Sequence, residues 1–291
     1  MFMLSVLASL LLLGAAGPAE IVVPARRAPG IEVLQISAPT LLTKKLSLPL
    51  AVSASGVLVL DLENGQELLS RRPDQRRPMA SLTKIMTALL ILERHDLQEV
   101  VLVPTVADQI RGSAIGVRPG ERFMVGALLK ALLIPSANDI AYTLAISDSH
   151  SAAAFVLQMN ARAQALGLKN THFANPAGFD NPEQYSSPRD LGWLTMAALR
   201  NPEFSRIVGM RTVRITDNEG REFDLRNTND LLQENEHVSG VKTGTTEAAG
   251  ECLIVRFEEQ GHPYLLILLG SRDRYTDSLY ILQAVHDALS Q

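Results

Sequence analysis

Ser81 and Lys84 stand three positions apart at the start of a segment with helical apolar spacing, which places a hydroxyl and an amine on one face within reach of each other. That pairing suits a nucleophile and the base that takes its proton. A serine at a helix start also faces unpaired backbone N–H groups and the positive end of the helix dipole, both favourable to negative charge developing on an attacked carbonyl oxygen. Taken alone, the spacing equally describes a helix cap followed by a solvated lysine. Lys242-Thr243-Gly244-Thr245 ends a strand-like run. Its ammonium and hydroxyls could hold a carboxylate, and the small Gly244 would let a substrate backbone come close, although a polar turn after an edge strand fits the same residues. Ser136-Ala137-Asn138 follows Pro135 between two predicted helices, where a loop must run and where capping alone would account for the residue types.

The elements that must position these groups are readable from apolar spacing. Gly56 to Leu60 and Glu67 to Leu69 flank Asn64-Gly65, a hairpin signal. Ile85, Leu89 and Leu92 line one face of a helix from Ser81 to near His95. Further helices are predicted over Val125 to Leu133, stopped by Pro135; over Asp139 to Ile146; over Ser151 to Leu166, closed by Gly167; and from the cap Ser187 with Pro188 to about Arg200. After Pro202 the pattern turns strand-like at Arg211 to Thr216, then a polar turn at Asp217 to Gly220, then Val238 to Thr243. Cys252 to Phe257 and Tyr264 to Leu269 form a second hairpin through Gln260-Gly261, and Leu279, Leu282, Val285 and Leu289 mark a last amphipathic helix. Strands at both ends with helices between them predict an α+β fold: an antiparallel sheet flanked by helices, with a mostly helical subdomain inserted over about 82–200.

Composition narrows the function classes. The 31 acidic and 27 basic residues are spread along the chain, giving −4 overall and no strong field for a polyanion, so nucleic acid is excluded as a partner. A single cysteine, Cys252, permits no intramolecular disulfide and reads as a small buried residue of a strand. Residues 1–19 carry no charge and include the apolar run Leu4 to Leu13, which predicts a secretory signal. Residues 20–50 hold four prolines and no sustained period, as expected of a linker, leaving 51–291 as the folded catalytic body. The six histidines show no paired ligand spacing, so no metal and no cofactor is expected, and no Gly-x-Ser-x-Gly segment suggests a Ser/His/Asp hydrolase.

Ser-x-x-Lys, Ser-x-Asn and Lys-Thr-Gly occur in that order, each on the element its chemistry needs, and jointly they are specific. On these motifs the chain resembles the D-alanyl-D-alanine carboxypeptidase family of low-molecular-mass penicillin-binding proteins. The likeness runs on through Met79 to Ala88, Pro135 to Asp139, Phe155 to Leu168, Thr171 to Gly178 and Gly240 to Thr246, and covers roughly 51–291. It implies a β-lactamase/penicillin-binding-protein-like fold and a serine peptidase that removes the terminal D-alanine of peptidoglycan stem peptides and is acylated by β-lactam antibiotics. It further implies Ser81 as nucleophile, Lys84 as proton acceptor lowered by the neighbouring Lys242, and Ser136 as the relay to the leaving amine. Asn138 would orient Lys84, Thr243 and Thr245 would take the terminal carboxylate, and the N–H groups of Ser81 and Thr245 would form the oxyanion hole. An exported, periplasmic or envelope location and no C-terminal membrane anchor are expected.

Ser239 replaces an Asp frequent in the family, and Ser186 to Leu191 departs from its usual Ser-Thr-Ala pattern; both bear on substrate range. A class A β-lactamase would need Glu-x-x-Leu-Asn, which is absent. Two alternatives stay open: an endopeptidase cutting D-alanyl crosslinks, and a non-catalytic peptidoglycan-binding protein that kept the fold.

Overall fold

The computed structural model describes residues 46–290. The hairpin β1 (Gly56–Asp61) and β2 (Glu67–Arg71) comes first, and a 3-10 turn at Ala80–Thr83 leads directly into α1 (Lys84–Arg94). A short ribbon of β3 (Val100–Leu102) and β4 (Arg122–Met124) is followed by α2 (Val125–Leu133), α3 (Asn138–Ser149), α4 (Ala152–Ala165), α5 (Pro188–Leu199) and α6 (Pro202–Val208). A second ribbon, β5 (Thr212–Thr216) and β6 (Glu222–Arg226), and the single turn α7 (Leu231–Glu234) lead to β7 (Val238–Thr246), β8 (Gly250–Glu259), β9 (His262–Ser271) and α8 (Arg274–Leu289).

The main sheet has five antiparallel strands in the order β2-β1-β9-β8-β7, so it is built from both ends of the described chain. Its central strands are apolar without interruption because both faces are covered, and the period of two sorts the side chains between two cores. Leu58, Leu60, Ile254, Leu265 and Ile267 pack with the helices that precede β5, whereas Val57, Val59, Leu253, Val255, Leu266 and Leu268 pack with Ile281 and Val285 of α8. Ser151 and Ser187 cap their helices as their side chains foretell, accepting from the N–H groups of Ala154 and Asp190. Cys252 is buried, and that burial pushes its thiol up to about 11, which leaves it unreactive.

Two readings of the sequence are corrected, and one strand that it did not show is added. The stretch after Pro202 is helical before it is extended: Asn201 Oδ1 accepts from the N–H groups of Glu203 and Phe204, Pro202 takes the first turn, and Phe204, Ile207 and Val208 face the core. The insertion therefore passes residue 200, where the sequence pattern ends it. Glu222–Arg226 is a strand paired with β5, its Phe223 and Leu225 pointing inward between charged neighbours. The expected linker over 20–50 ends sooner than predicted, because Leu46 donates its N–H to Leu68 O at 2.9 Å and Leu46 and Leu48 pack on the α8 side of the sheet. The rest of that linker and the signal expected over 1–19 lie outside the described residues. Among the described residues no helix is long and apolar enough to cross a membrane.

One buried carboxylate ties the segment that leads into β1 to the last helix. Asp277 accepts from Ser53 N (2.7 Å), Ser53 Oγ (2.8 Å), Ala54 N (2.8 Å) and Ser271 Oγ (2.5 Å). Replacing Asp277 by alanine leaves the buried Ala54 N–H and Ser271 hydroxyl without an acceptor and is expected to lower unfolding stability by about 2–4 kcal/mol. Urea denaturation checks this; a loss below about 0.5 kcal/mol would show the cluster to be unimportant.

Candidate active site

Ser81 lies in the 3-10 turn and Lys84 is the first residue of α1, so the tight turn brings the two side chains together. Lys84 Nζ is fully buried and lies 2.9 Å from Ser81 Oγ, 2.7 Å from Asn138 Oδ1 and 2.7 Å from the Ala177 carbonyl. Asn138 Oδ1 and Ala177 O can only accept. An uncharged amine has two N–H donors for these two oxygens, which leaves its lone pair directed at the Ser81 hydroxyl. The arrangement thus suits a lysine that receives the serine proton.

Electrostatics favour the uncharged form. Burial holds the Lys84 amine well below its ordinary value of 10.5, the Lys242 charge lowers it further, and only Asp139 pulls the other way. Lys242 is itself buried on β7, where burial and the Arg274 guanidinium bring it down to about 7. Its Nζ donates to Thr243 O at 3.0 Å.

Each partner of Lys84 is fixed by its own scaffold. The Ala177 carbonyl belongs to a loop wound round Asn175, whose Oδ1 accepts from the N–H groups of Ala177, Gly178 and Phe179. Gln184 holds the same loop through the N–H groups of Ala174 and Asn175 and donates to Thr83 Oγ1 at 2.8 Å, while Thr87 Oγ1 donates to Pro176 O. Asn138 Nδ2 donates to Arg111 O at 2.9 Å, which turns its oxygen toward Lys84. Next to it, buried Asp139 accepts from the N–H groups of Ile115, Gly116 and Val117 and orders the 111–117 loop.

Two glycines press on the turn that carries Ser81. A Cβ on Gly178 would lie 2.0 Å from Ala80 O, and one on Gly244 would lie 2.8 Å from Ser81 N. β7 forms one edge of the sheet, paired only with β8, so its other edge passes beside the Ser81 N–H. On that strand Thr243 Oγ1 lies 2.5 Å from Thr228 Oγ1, and Thr245 Oγ1 accepts from Arg274 Nη2. Arg274 Nη1 also donates to the carbonyls of Gly244 and Cys252, both at 3.1 Å, which locks the strand to the start of α8.

Ser81, Lys84 and Asn138 are thus bonded into one cluster, with Gly244 against Ser81 and the charge of Lys242 acting on Lys84. Ser136 sits in the turn before α3 at φ +66°, and its buried Oγ has no hydrogen-bond partner among the described residues. Sequence reasoning missed Arg274, Thr228, Gln184 and the Ala177 carbonyl. Arg274 stands 29 positions from Thr245, with no spacing rule to connect them, and a backbone carbonyl has no residue type to announce it.

Two outcomes follow from this geometry. Gly178→Ala is expected to displace the turn and reduce acylation of Ser81 by at least about 100-fold, since no side chain but backbone must yield. Stopped-flow acylation would show it, and a near-normal rate would mean that the turn is not held by this contact. Because Lys84 must be uncharged to accept a proton, acylation should rise with pH as Lys84 deprotonates, well below 10.5. Lys242→Gln removes a charge that lowers Lys84, so the rising limb should move to higher pH; a limb that stays put or moves to lower pH contradicts the coupling.

A profile of the family described as D-alanyl-D-alanine carboxypeptidase matches residues 43–273. The chain is 32% identical over 247 residues to the D-alanyl-D-alanine carboxypeptidase DacF of Bacillus subtilis, covering 83% of this chain and 64% of that protein. It is 34% identical over 244 residues to a D-alanyl-D-alanine endopeptidase of Pseudomonas aeruginosa, covering 80% of this chain and 76% of that protein. The crystal structure of the Streptomyces K15 DD-transpeptidase superposes with a TM-score of 0.75 at 29% identity, over 82% of this chain and 98% of the other. With the profile spanning most of its length and relatives above 30% identity, this chain belongs to the D-alanyl-D-alanine carboxypeptidase family.

Proposed function

We propose that the protein is an exported serine carboxypeptidase that removes the terminal D-alanine from peptidoglycan stem peptides. The observation that carries this reading is the buried Lys84 amine held between Ser81, Asn138 and the Ala177 carbonyl. Ser81 Oγ attacks the carbonyl of the penultimate D-alanine as its proton passes to Lys84. The N–H groups of Ser81 and Thr245 stabilise the oxyanion, and Thr243 and Thr245, backed by Thr228 and Arg274, receive the terminal carboxylate. The C–N bond then breaks as the proton held by Lys84 passes through the Ser136 hydroxyl to the leaving amine, and terminal D-alanine departs. Water cleaves the resulting ester and returns the proton to the Ser81–Lys84 pair.

A β-lactam places its strained amide where the substrate carbonyl would lie. It should acylate Ser81 and persist, since the Glu-x-x-Leu-Asn segment that speeds hydrolysis in class A β-lactamases is absent. Envelope peptidoglycan as substrate fits an extracytoplasmic location, with residues 1–19 as the export signal. Endopeptidase action on D-alanyl crosslinks is the second reading, favoured by the identity to the Pseudomonas aeruginosa endopeptidase.

Fluorescent penicillin should label the wild type covalently and leave Ser81→Ala unlabelled; labelling that survives the substitution removes Ser81 from this role. Digestion of purified muropeptides followed by mass analysis should show loss of a single alanine from pentapeptide stems, abolished by at least about 1000-fold in Ser81→Ala. Cleavage of crosslinked dimers with pentapeptides untouched would replace the carboxypeptidase reading by the endopeptidase one.

A further inference from the structure

A cavity of about 460 Å³ opens beside the nucleophile turn, lined among others by Arg76, Arg77, Pro78, Asp180, Tyr185 and Ala248. Pro78 is three residues before Ser81, and Gln184 in the cavity wall is the residue that bonds Thr83. Asp180 lies two residues beyond Gly178, which packs on Ala80, and its carboxylate accepts from Ala248 N at 3.1 Å. That bond joins the Gly178 loop to the turn that follows β7.

The direction of the substrate on β7 points to this cavity. In the proposed reaction the carbonyl under attack lies between the N–H groups of Ser81 and Thr245, and the leaving residue puts its carboxylate on the Thr243 and Thr245 hydroxyls, back along β7. The acyl portion must then run the other way, past Thr246 toward Ala248 and the cavity.

The charge there is positive and open. Arg76 is exposed, lies 4.9 Å above the Tyr185 ring and reaches only the Asn170 and Lys169 oxygens at 3.4 Å. Arg77 donates to Gln75 Oε1, and its buried Nε has no hydrogen-bond partner. Neither guanidinium forms an ion pair among the described residues. Asp180 is the one acidic residue lining the cavity, and Ala248 N–H already occupies one of its oxygens.

We propose that this cavity is an acyl-side subsite that takes a carboxylate carried by the stem peptide upstream of the scissile bond, with Arg76 as its main cationic contact. The subsite rests on the reaction proposed above and names the substrate feature that reaction selects. An arginine is suited to this because its planar fork grips a carboxylate while one face rests on an aromatic ring.

The test compares L-Ala-γ-D-Glu-L-Lys-D-Ala-D-Ala with the same peptide amidated at the glutamate α-carboxylate. For the wild type, kcat/KM should favour the free acid by about tenfold, the effect of one charge-assisted pair. Arg76→Gln should bring the ratio to near one by lowering only the free-acid value, and Arg76→Glu should reverse it. Arg76 is exposed, so neither change threatens folding. A wild-type ratio near one, or a preference that survives both variants, overturns the subsite. Titrating both peptides into Ser81→Ala protein gives the same comparison as a ratio of Kd values. A retained binding preference with no turnover by the wild type would sink the proposed reaction while leaving the subsite standing.

Discussion

An amine kept out of water is the constraint on which the rest of this structure depends. A charged lysine buried with no carboxylate against it is so unfavourable that the group gives up its proton instead. Lys84 meets this condition: its three contacts are a hydroxyl, an amide oxygen and a peptide carbonyl, none of which carries a full charge. Asp139, the acidic neighbour that would favour the ammonium, spends its carboxylate on the N–H groups of the 115–117 backbone. The second buried lysine, on β7, adds repulsion in place of relief. A protein that needed only stability would put leucine at this position, whereas the arrangement holds an amine whose proton affinity is well below the ordinary lysine value.

Keeping that amine in place requires four separate segments of chain to meet, and this is what the α+β architecture supplies. The 3-10 turn brings Ser81, α3 brings Asn138, the Asn175 loop brings a carbonyl, and the edge of the sheet brings Lys242. The sheet is built from residues 56–71 and 238–271, so Lys242 is brought to the cluster by a strand far along the chain from Ser81 and Lys84. Rigidity is layered: Gln184 holds the loop that holds the carbonyl, and Arg274 holds the strand that carries Thr245.

How much of this was legible in the sequence follows from how local each interaction is. Ser81 and Lys84 were readable because their bond spans one turn of chain, whereas Asn138 stood out only through the joint order of the three motifs, since capping alone would explain a polar residue at that helix start. The two-sided burial of β1, β8 and β9 showed as unbroken apolar runs. α6 escaped, although Asn201-Pro202 repeats the grammar of Ser187-Pro188, because seven residues are too few to show a helical period. β6 escaped because Phe223 and Leu225 alternate with charged residues over only five positions. Arg274, Thr228 and the Ala177 carbonyl were invisible for a different reason: their contacts join distant positions, and nothing in a linear pattern marks which strand end a helix start will meet.

The backbone around Ser81 is as constrained as its side-chain partner. Ala80 and Ser136, neither of them glycine, adopt φ of +48° and +66°, a region that costs about 1–3 kcal/mol per residue and persists only when surroundings leave no alternative. Those surroundings are identifiable at Ala80: Gly178 lies against its carbonyl on one side, and Gly244 faces its Cβ and the Ser81 N–H on the other. Any side chain at either glycine would have to push the turn away, so the two hydrogen atoms at these positions are as much a part of the geometry around Ser81 as Lys84 is. Strain at the turn, the glycines that confine it and the amine whose burial lowers its proton affinity are therefore one design: a hydroxyl fixed beside a buried amine, with a strand edge in front of it.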